Sequence, residues 1–129
     1  MKVKVLMNDV IAIDGDSSVK EAAELMKEND IGCLLISVDD KIKGILTERD
    51  IAREIAEDVL YLDKNVSQIM NRGLITIDAE QDVSAAAKLM SSKNIKKLPV
   101  TVKGRIEGMI TTTDLLNKAV QFRLFDSLD

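Results

Sequence analysis

Gly44-Ile45-Leu46-Thr47-Glu48-Arg49-Asp50 and Gly108-Met109-Ile110-Thr111-Thr112-Thr113-Asp114 share one pattern, Gly-x-x-Thr-x-x-Asp, written twice at a shift of 64 residues. Working back from these strings, the register holds without a gap through Ile42/Ile106, Val38/Val102, Leu34/Leu98, Ile31/Ile95, Met26/Met90, Leu25/Leu89, Ala22/Ala86, Val19/Val83 and Asp14/Asp78. One structural unit spanning Ile13 to Ile51 is therefore repeated, and whatever the unit binds is expected to be bound in duplicate.

Each copy reads as strand, helix, strand, strand, helix. In the first, Ser18-Val19-Lys20-Glu21 has the form of a capping box, and Val19, Ala22, Ala23 and Met26 follow at the i, i+3, i+4, i+7 spacing of a helix with one buried face. Val83, Ala86, Ala87 and Met90 repeat that face behind Asp82, a residue suited to an N-cap. Two β-rich runs then follow in each copy, Cys33 to Val38 with Ile42 to Thr47, and Leu98 to Val102 with Arg105 to Thr111. The turn residues Asp39-Asp40-Lys41 and Lys103-Gly104 predict antiparallel hairpins. Closing helices are expected from about Glu48 to Asp58 and from Thr112 into the C-terminal tail. Val59 to Ser67 is the connector and carries the only tyrosine, Tyr61. The α/β (α+β type) reading divides the chain at residues 1–62 and 63–129.

Composition removes several classes of function. The chain has 129 residues, 46% of them hydrophobic and 31% charged, and no apolar run approaches the ~20 residues of a membrane span. Met1-Lys2-Val3-Lys4 leads into an apolar run broken at Asn8-Asp9, unlike a secretory signal. Eighteen basic against 22 acidic residues leave a net charge of -4, with no basic cluster dense enough for a nucleic-acid footprint. There is no histidine, and Cys33 is the one cysteine, so the usual catalytic triads, a zinc site and an internal disulfide have no residues to be built from. Cys33 reads as a core strand residue, and this cysteine usage suits the cytoplasm. No Gly-x-Gly-x-x-Gly, Walker loop or Gly-x-Ser-x-Gly elbow occurs.

The Gly-x-x-Thr-x-x-Asp string supports two readings. Thr47 with Asp50, and Thr111 with Asp114, fit the capping-box spacing, the threonine capping the helix and the aspartate reaching back. Alternatively, a strand ending at a helix N-terminus offers amides and a positive dipole end to a phosphate, while a carboxylate accepts hydrogen bonds from vicinal ribose hydroxyls. Phosphate donors beside a ribose acceptor point to a nucleotide. Gly44 and Gly108 fit either a close backbone approach or a strand bend.

With Lys97-Leu98-Pro99-Val100 ahead of the second hairpin and Ser67-Gln68-Ile69-Met70 ahead of the second repeat, the chain from about Val5 to Val120 resembles a tandem pair of cystathionine-β-synthase (CBS) domains, a Bateman module. The resemblance implies two repeats packed with pseudo-twofold symmetry, their hairpin sheets face to face around two clefts, and a ligand such as AMP, ADP, ATP or S-adenosylmethionine. It carries the ribose contacts to Asp50 and Asp114, with Thr47 and Thr111 at ribose or phosphate, and the adenine contacts to Ile11-Ala12-Ile13 and Ile75-Thr76-Ile77. For any one residue of those strands, ordinary core packing is the stronger reading. Lys97 falls where the family often places a basic residue toward phosphate, whereas Cys33 holds that place in the first repeat. Arg49 could compensate there.

The expected function is a cytoplasmic regulatory module, not an enzyme, that senses an adenine nucleotide or related adenosyl ligand and signals to a partner protein. No cofactor is required and no nucleic acid is expected. The alternative is a ligand-free structural or oligomerisation module whose signatures only cap helices. A third reading, Asp50 and Asp114 as catalytic carboxylates, has no nucleophile or base beside it. A homodimer is expected from the spacing of Phe122, Phe125 and Leu128 in the tail.

Overall fold

A computed structural model describes residues 1–121, so the expectation drawn from Phe122, Phe125 and Leu128 lies outside the described residues. The elements are β1 (Ala12–Asp14), α1 (Val19–Asn29), β2 (Cys33–Val38), β3 (Lys41–Thr47), α2 (Glu48–Glu57), β4 (Ile77–Asp78), α3 (Val83–Lys93), β5 (Lys97–Val102), β6 (Arg105–Thr111) and α4 (Thr112–Ala119). Short 3-10 turns occupy Val3–Val5, Val59–Asp63 and Val66–Gln68. The strand-helix-strand-strand-helix order is present in both copies.

Each copy builds its own three-stranded sheet, β1-β2-β3 and β4-β5-β6, with the first pair parallel and the second antiparallel. The hairpins close as expected at Asp39 and Asp40, and at Lys103 and Gly104, all four at positive φ. Two successive positive φ values give the turn a twist that matches the strands it joins. Asp30 and Asn94 end α1 and α3 in the left-handed conformation that commonly closes a helix.

Helix starts follow the sequence with two differences. Ser18 accepts from the Glu21 amide and Asp82 from the Ser84 amide. Of the expected Ser18–Glu21 capping box only the serine half is made, the Glu21 side chain standing exposed. Val19, Ala22 and Met26 are buried as expected, and so are Ala86 and Met90, but Ala87 stands exposed where Ala23 is half-buried.

The described residues divide into two compact units, Val10–Leu74 and Met1–Asp9 joined with residues 75–121. The segment preceding each repeat thus folds onto the other repeat. Val66 donates to the Ser17 carbonyl (2.8 Å) and Ser67 to that of Gly15 (3.1 Å); in the other unit Val3 donates to the Gln81 carbonyl (2.8 Å) and Lys4 to that of Ala79 (3.0 Å). Val66 and Val3 are both 0% exposed, each in the core of the unit it joins. One core gathers Val19, Met26, Leu34, Ile36, Leu46 and Met70, the other Ile77, Met90, Leu98, Val100 and Ile110.

Candidate functional site

The signature straddles a strand-to-helix junction in each unit. Thr47 is the last residue of β3 and the N-cap of α2; Thr111 is the last of β6 and caps α4. In the first junction the Thr47 amide donates to Asp50 Oδ2 (2.9 Å) and the Asp50 amide to Thr47 Oγ1 (3.2 Å). In the second, the Thr111 amide donates to Asp114 Oδ2 (2.8 Å) and the Asp114 amide to Thr111 Oγ1 (3.2 Å). Both are complete capping boxes, so the capping reading is realised in each copy.

These caps leave little of the helix N-terminus for an anion. The Glu48 amide donates to the Gly32 carbonyl and the Thr112 amide to the Lys96 carbonyl, each at 2.9 Å. Of the amides from Thr47 to Asp50 only that of Arg49 takes no described partner, and its counterpart is that of Thr113. A phosphate cradle made of several free amides, one of the two sequence readings, is therefore not what this junction offers. What remains is a half-buried carboxylate in each copy, held through Oδ2 with no described donor on Oδ1.

Asp114 is held more tightly than Asp50. Its Oδ2 also accepts from Thr111 Oγ1 (2.9 Å) and from Nδ2 of Asn8 (2.9 Å), a residue of the exchanged N-terminal segment. The counterpart Asn71 turns its side chain to its own loop, where Oδ1 accepts from the Gly73 amide (2.9 Å). Asn8 is a residue that reading the sequence missed. The signal was present, because Val3-x-x-Leu6-Met7-Asn8 and Val66-x-x-Ile69-Met70-Asn71 match, but at a shift of 63 that falls outside the 64-residue register.

The remaining candidates are placed as follows. Lys97 is half-buried and its Cα pairs across the ladder with Thr111, and Cys33 pairs in the same way with Thr47. One signature threonine therefore faces an ammonium-bearing residue and the other a thiol. Arg49 and Lys96 are exposed. Ile11 and Ile13 pack against the first core, Ile75 packs against the second and Ile77 belongs to it, while Ala12 and Thr76 are exposed. A cavity of about 400 Å³ in the first-repeat unit is lined by residues including Met26, Lys27, Asp30, Gly32, Glu48 and Ile51, and it meets the signature only at Glu48. Among the described residues no acidic, histidine or cysteine cluster could hold a metal, and no helix is long and apolar enough to cross a membrane.

Comparison with known proteins agrees with this architecture. The CBS domain family model matches residues 3–57 and again 66–120. An uncharacterized conserved protein from Pyrococcus horikoshii is 34% identical and superposes with a TM-score of 0.86 over 95% of this chain and 94% of that one. The CBS domain pair of protein MJ0100, solved in complex with 5'-methylthioadenosine and S-adenosyl-L-methionine, is 30% identical with a TM-score of 0.82 over 92% of this chain and 98% of that one. A homoserine O-acetyltransferase of Methanohalobium evestigatum is 33% identical over 120 residues, 92% of this chain but 24% of that protein. The chain spans less than a third of the length of the curated relatives it matches first.

Proposed function

The chain belongs to the CBS-domain family as a tandem pair, and from that premise we propose that it binds an adenosyl ligand through its two signatures and serves as a regulatory module for a partner protein. The carrying observation is the duplicated carboxylate. Asp50 and Asp114 each keep one oxygen without a described donor at a half-buried strand-to-helix junction, the chemistry that accepts vicinal ribose hydroxyls. The adenosyl compounds bound by the MJ0100 pair support the ligand class. AMP, ADP, ATP and S-adenosylmethionine all carry that ribose. Thr47 and Thr111 adjoin the same carboxylates, Lys97 stands opposite Thr111, and Ala12 and Thr76 are exposed within Ile11-Ala12-Ile13 and Ile75-Thr76-Ile77, against which an adenine would lie, although Ile75 and Thr76 precede the strand Ile77–Asp78 and do not belong to it as expected. The regulated protein would recognise the ligand-bound conformation, so its response is set by the ligand's differential affinity for the conformations available. We propose a homodimer as the assembled form.

Calorimetry with adenosine, AMP, ATP and S-adenosylmethionine on Asp50→Ala, Asp114→Ala and the double variant tests the reading. Loss of a ribose acceptor costs on the order of 1.5–3 kcal/mol per site, about ten- to a hundredfold in affinity. Unchanged binding in the double variant overturns it. The complete capping boxes favour a second reading, a structural module whose signatures serve only its helices. In that case the same nucleotides leave the thermal midpoint where it was.

A further inference from the structure

Asn8 reaches the signature of the second repeat from outside that repeat. Its backbone is fixed on both sides, donating to the Met109 carbonyl (2.8 Å) and accepting from the Met109 amide (2.9 Å), so the side chain is delivered to Asp114 by the exchange of segments and not by a loop. Asn71 has the same backbone pairing with Ile45 (2.9 and 3.0 Å), but its side chain serves Gly73. The two junctions share this backbone pairing, but among the described residues only Asn8 extends its side chain to the signature aspartate, its Nδ2 lying also 3.5 Å from the Met109 carbonyl.

We infer that Asn8 is a positioning residue for Asp114, making the second-repeat site the more selective of the two for ribose. The inference rests on the ribose-acceptor reading above. Three donors, the Thr111 amide, Thr111 Oγ1 and Asn8 Nδ2, hold Oδ2 of Asp114, and a carboxylate fixed in this way presents Oδ1 in one direction. Among the described residues Asp50 Oδ2 accepts only from the Thr47 amide, so its carboxylate retains freedom that a bound ribose must remove. Ordering a side chain on binding costs affinity, and a group ordered beforehand avoids that cost. The Asn8 amide also supplies a donor that a carboxylate in its place could not.

The test is calorimetry of adenosine and 2′-deoxyadenosine on the full chain carrying Asp50→Ala, so that the second-repeat site reports. Adding Asn8→Ala should weaken adenosine about three- to tenfold and 2′-deoxyadenosine less than about twofold, the size of the cost of ordering one side chain on binding. Asn8→Asp, of the same shape but facing Asp114 with a second carboxylate, should weaken adenosine further. Asn71→Ala, made in the same background, should change neither nucleoside. A thermal melt of each variant checks that it is folded. Equal losses for the two nucleosides, or adenosine binding that is unchanged or tighter in Asn8→Ala, overturns the inference. Asp114→Ala separates the two levels: if it leaves adenosine binding intact, the ribose-acceptor reading fails and this inference with it. If Asp114→Ala weakens adenosine and Asn8→Ala does not, only the role of Asn8 is overturned.

Discussion

Met70 lies across the backbone of Gly44 so closely that a Cβ on Gly44 would stand 2.5 Å from the Met70 sulfur and 3.0 Å from the Asn71 carbonyl oxygen. Met7 covers Gly108 in the same way, its sulfur 2.8 Å from where a Cβ would be. The glycine that opens each signature is thus required by the exchanged segment lying on the strand, a packing reason distinct from any approach of a ligand.

Gly44→Ala should therefore destabilise the protein by about 1–3 kcal/mol, the usual cost of overpacking. The thioether can swing aside in part, but the Asn71 carbonyl is held by its bond with the Ile45 amide. Denaturant melts of Gly44→Ala, Met70→Ala and the double variant check this. The double variant should be less destabilised than the sum of the two, because removing the thioether relieves part of the clash. Strict additivity would show that the contact is not the cause.

The capping and binding roles of Asp50 separate through Asp50→Asn. Asparagine keeps an acceptor for the Thr47 amide, so the stability change should stay well below the about 0.5–2 kcal/mol expected of a lost cap, as in Thr47→Ala. It loses the charge that strengthens hydrogen bonds from ribose hydroxyls, so adenosine should still weaken severalfold. Melting and calorimetry on the same preparation measure both. A stable Asp50→Asn with wild-type affinity would assign the carboxylate to the helix alone.

Acid should act on the exposed cluster that ties the N-terminal segment to the second repeat. Glu80 accepts from Lys2 Nζ and from Lys4 Nζ (2.8 Å), and these bonds hold its carboxyl down to about 2 from the ordinary 4.5. A carboxylate depressed in the folded state stabilises above its unfolded pKa and loses that contribution as pH falls through the folded value. The contribution of Glu80 should thus be complete above about pH 4.5 and vanish toward pH 2. Thermal midpoints between pH 6 and 2 should fall less steeply in Glu80→Gln than in the wild type, and the difference should shrink in high salt because the cluster is exposed. Parallel curves would exclude these pairs as contributors.

Local signals were legible because they rest on neighbouring residues. The helix face of Val19, Ala22 and Met26, the N-cap at Asp82, the hairpin turns at Asp39-Asp40 and Lys103-Gly104, and both Thr-x-x-Asp caps each follow from a few adjacent positions. Which repeat a segment joins does not. Val3 and Met7 stand in the same Val-x-x-Leu/Ile-Met-Asn pattern as Val66 and Met70, and only the long-range fold puts each pair on the other copy. For that reason the role of Gly44 and Gly108 and the contact of Asn8 with Asp114 were hidden. The Oδ1 atoms left without described donors also emerge only once the caps are seen to be closed.

Lys97 provides the last distinction between the repeats. Its Cα pairs with Thr111, whereas Cys33 takes that place opposite Thr47, so an ammonium is available near one signature and not at the matching position of the other. Arg49 is exposed and carries no described ion pair. Lys97→Ala should weaken ATP and AMP but barely change adenosine, and the loss for the phosphorylated ligands should diminish as salt screens the charge. Cys33→Lys should do the reverse at the first repeat, tightening ATP without affecting adenosine. Titrations of the three ligands at low and high salt decide the matter. An equal loss for adenosine, AMP and ATP in Lys97→Ala would mean that its half-buried stem supports β5 and that phosphate is held by other groups.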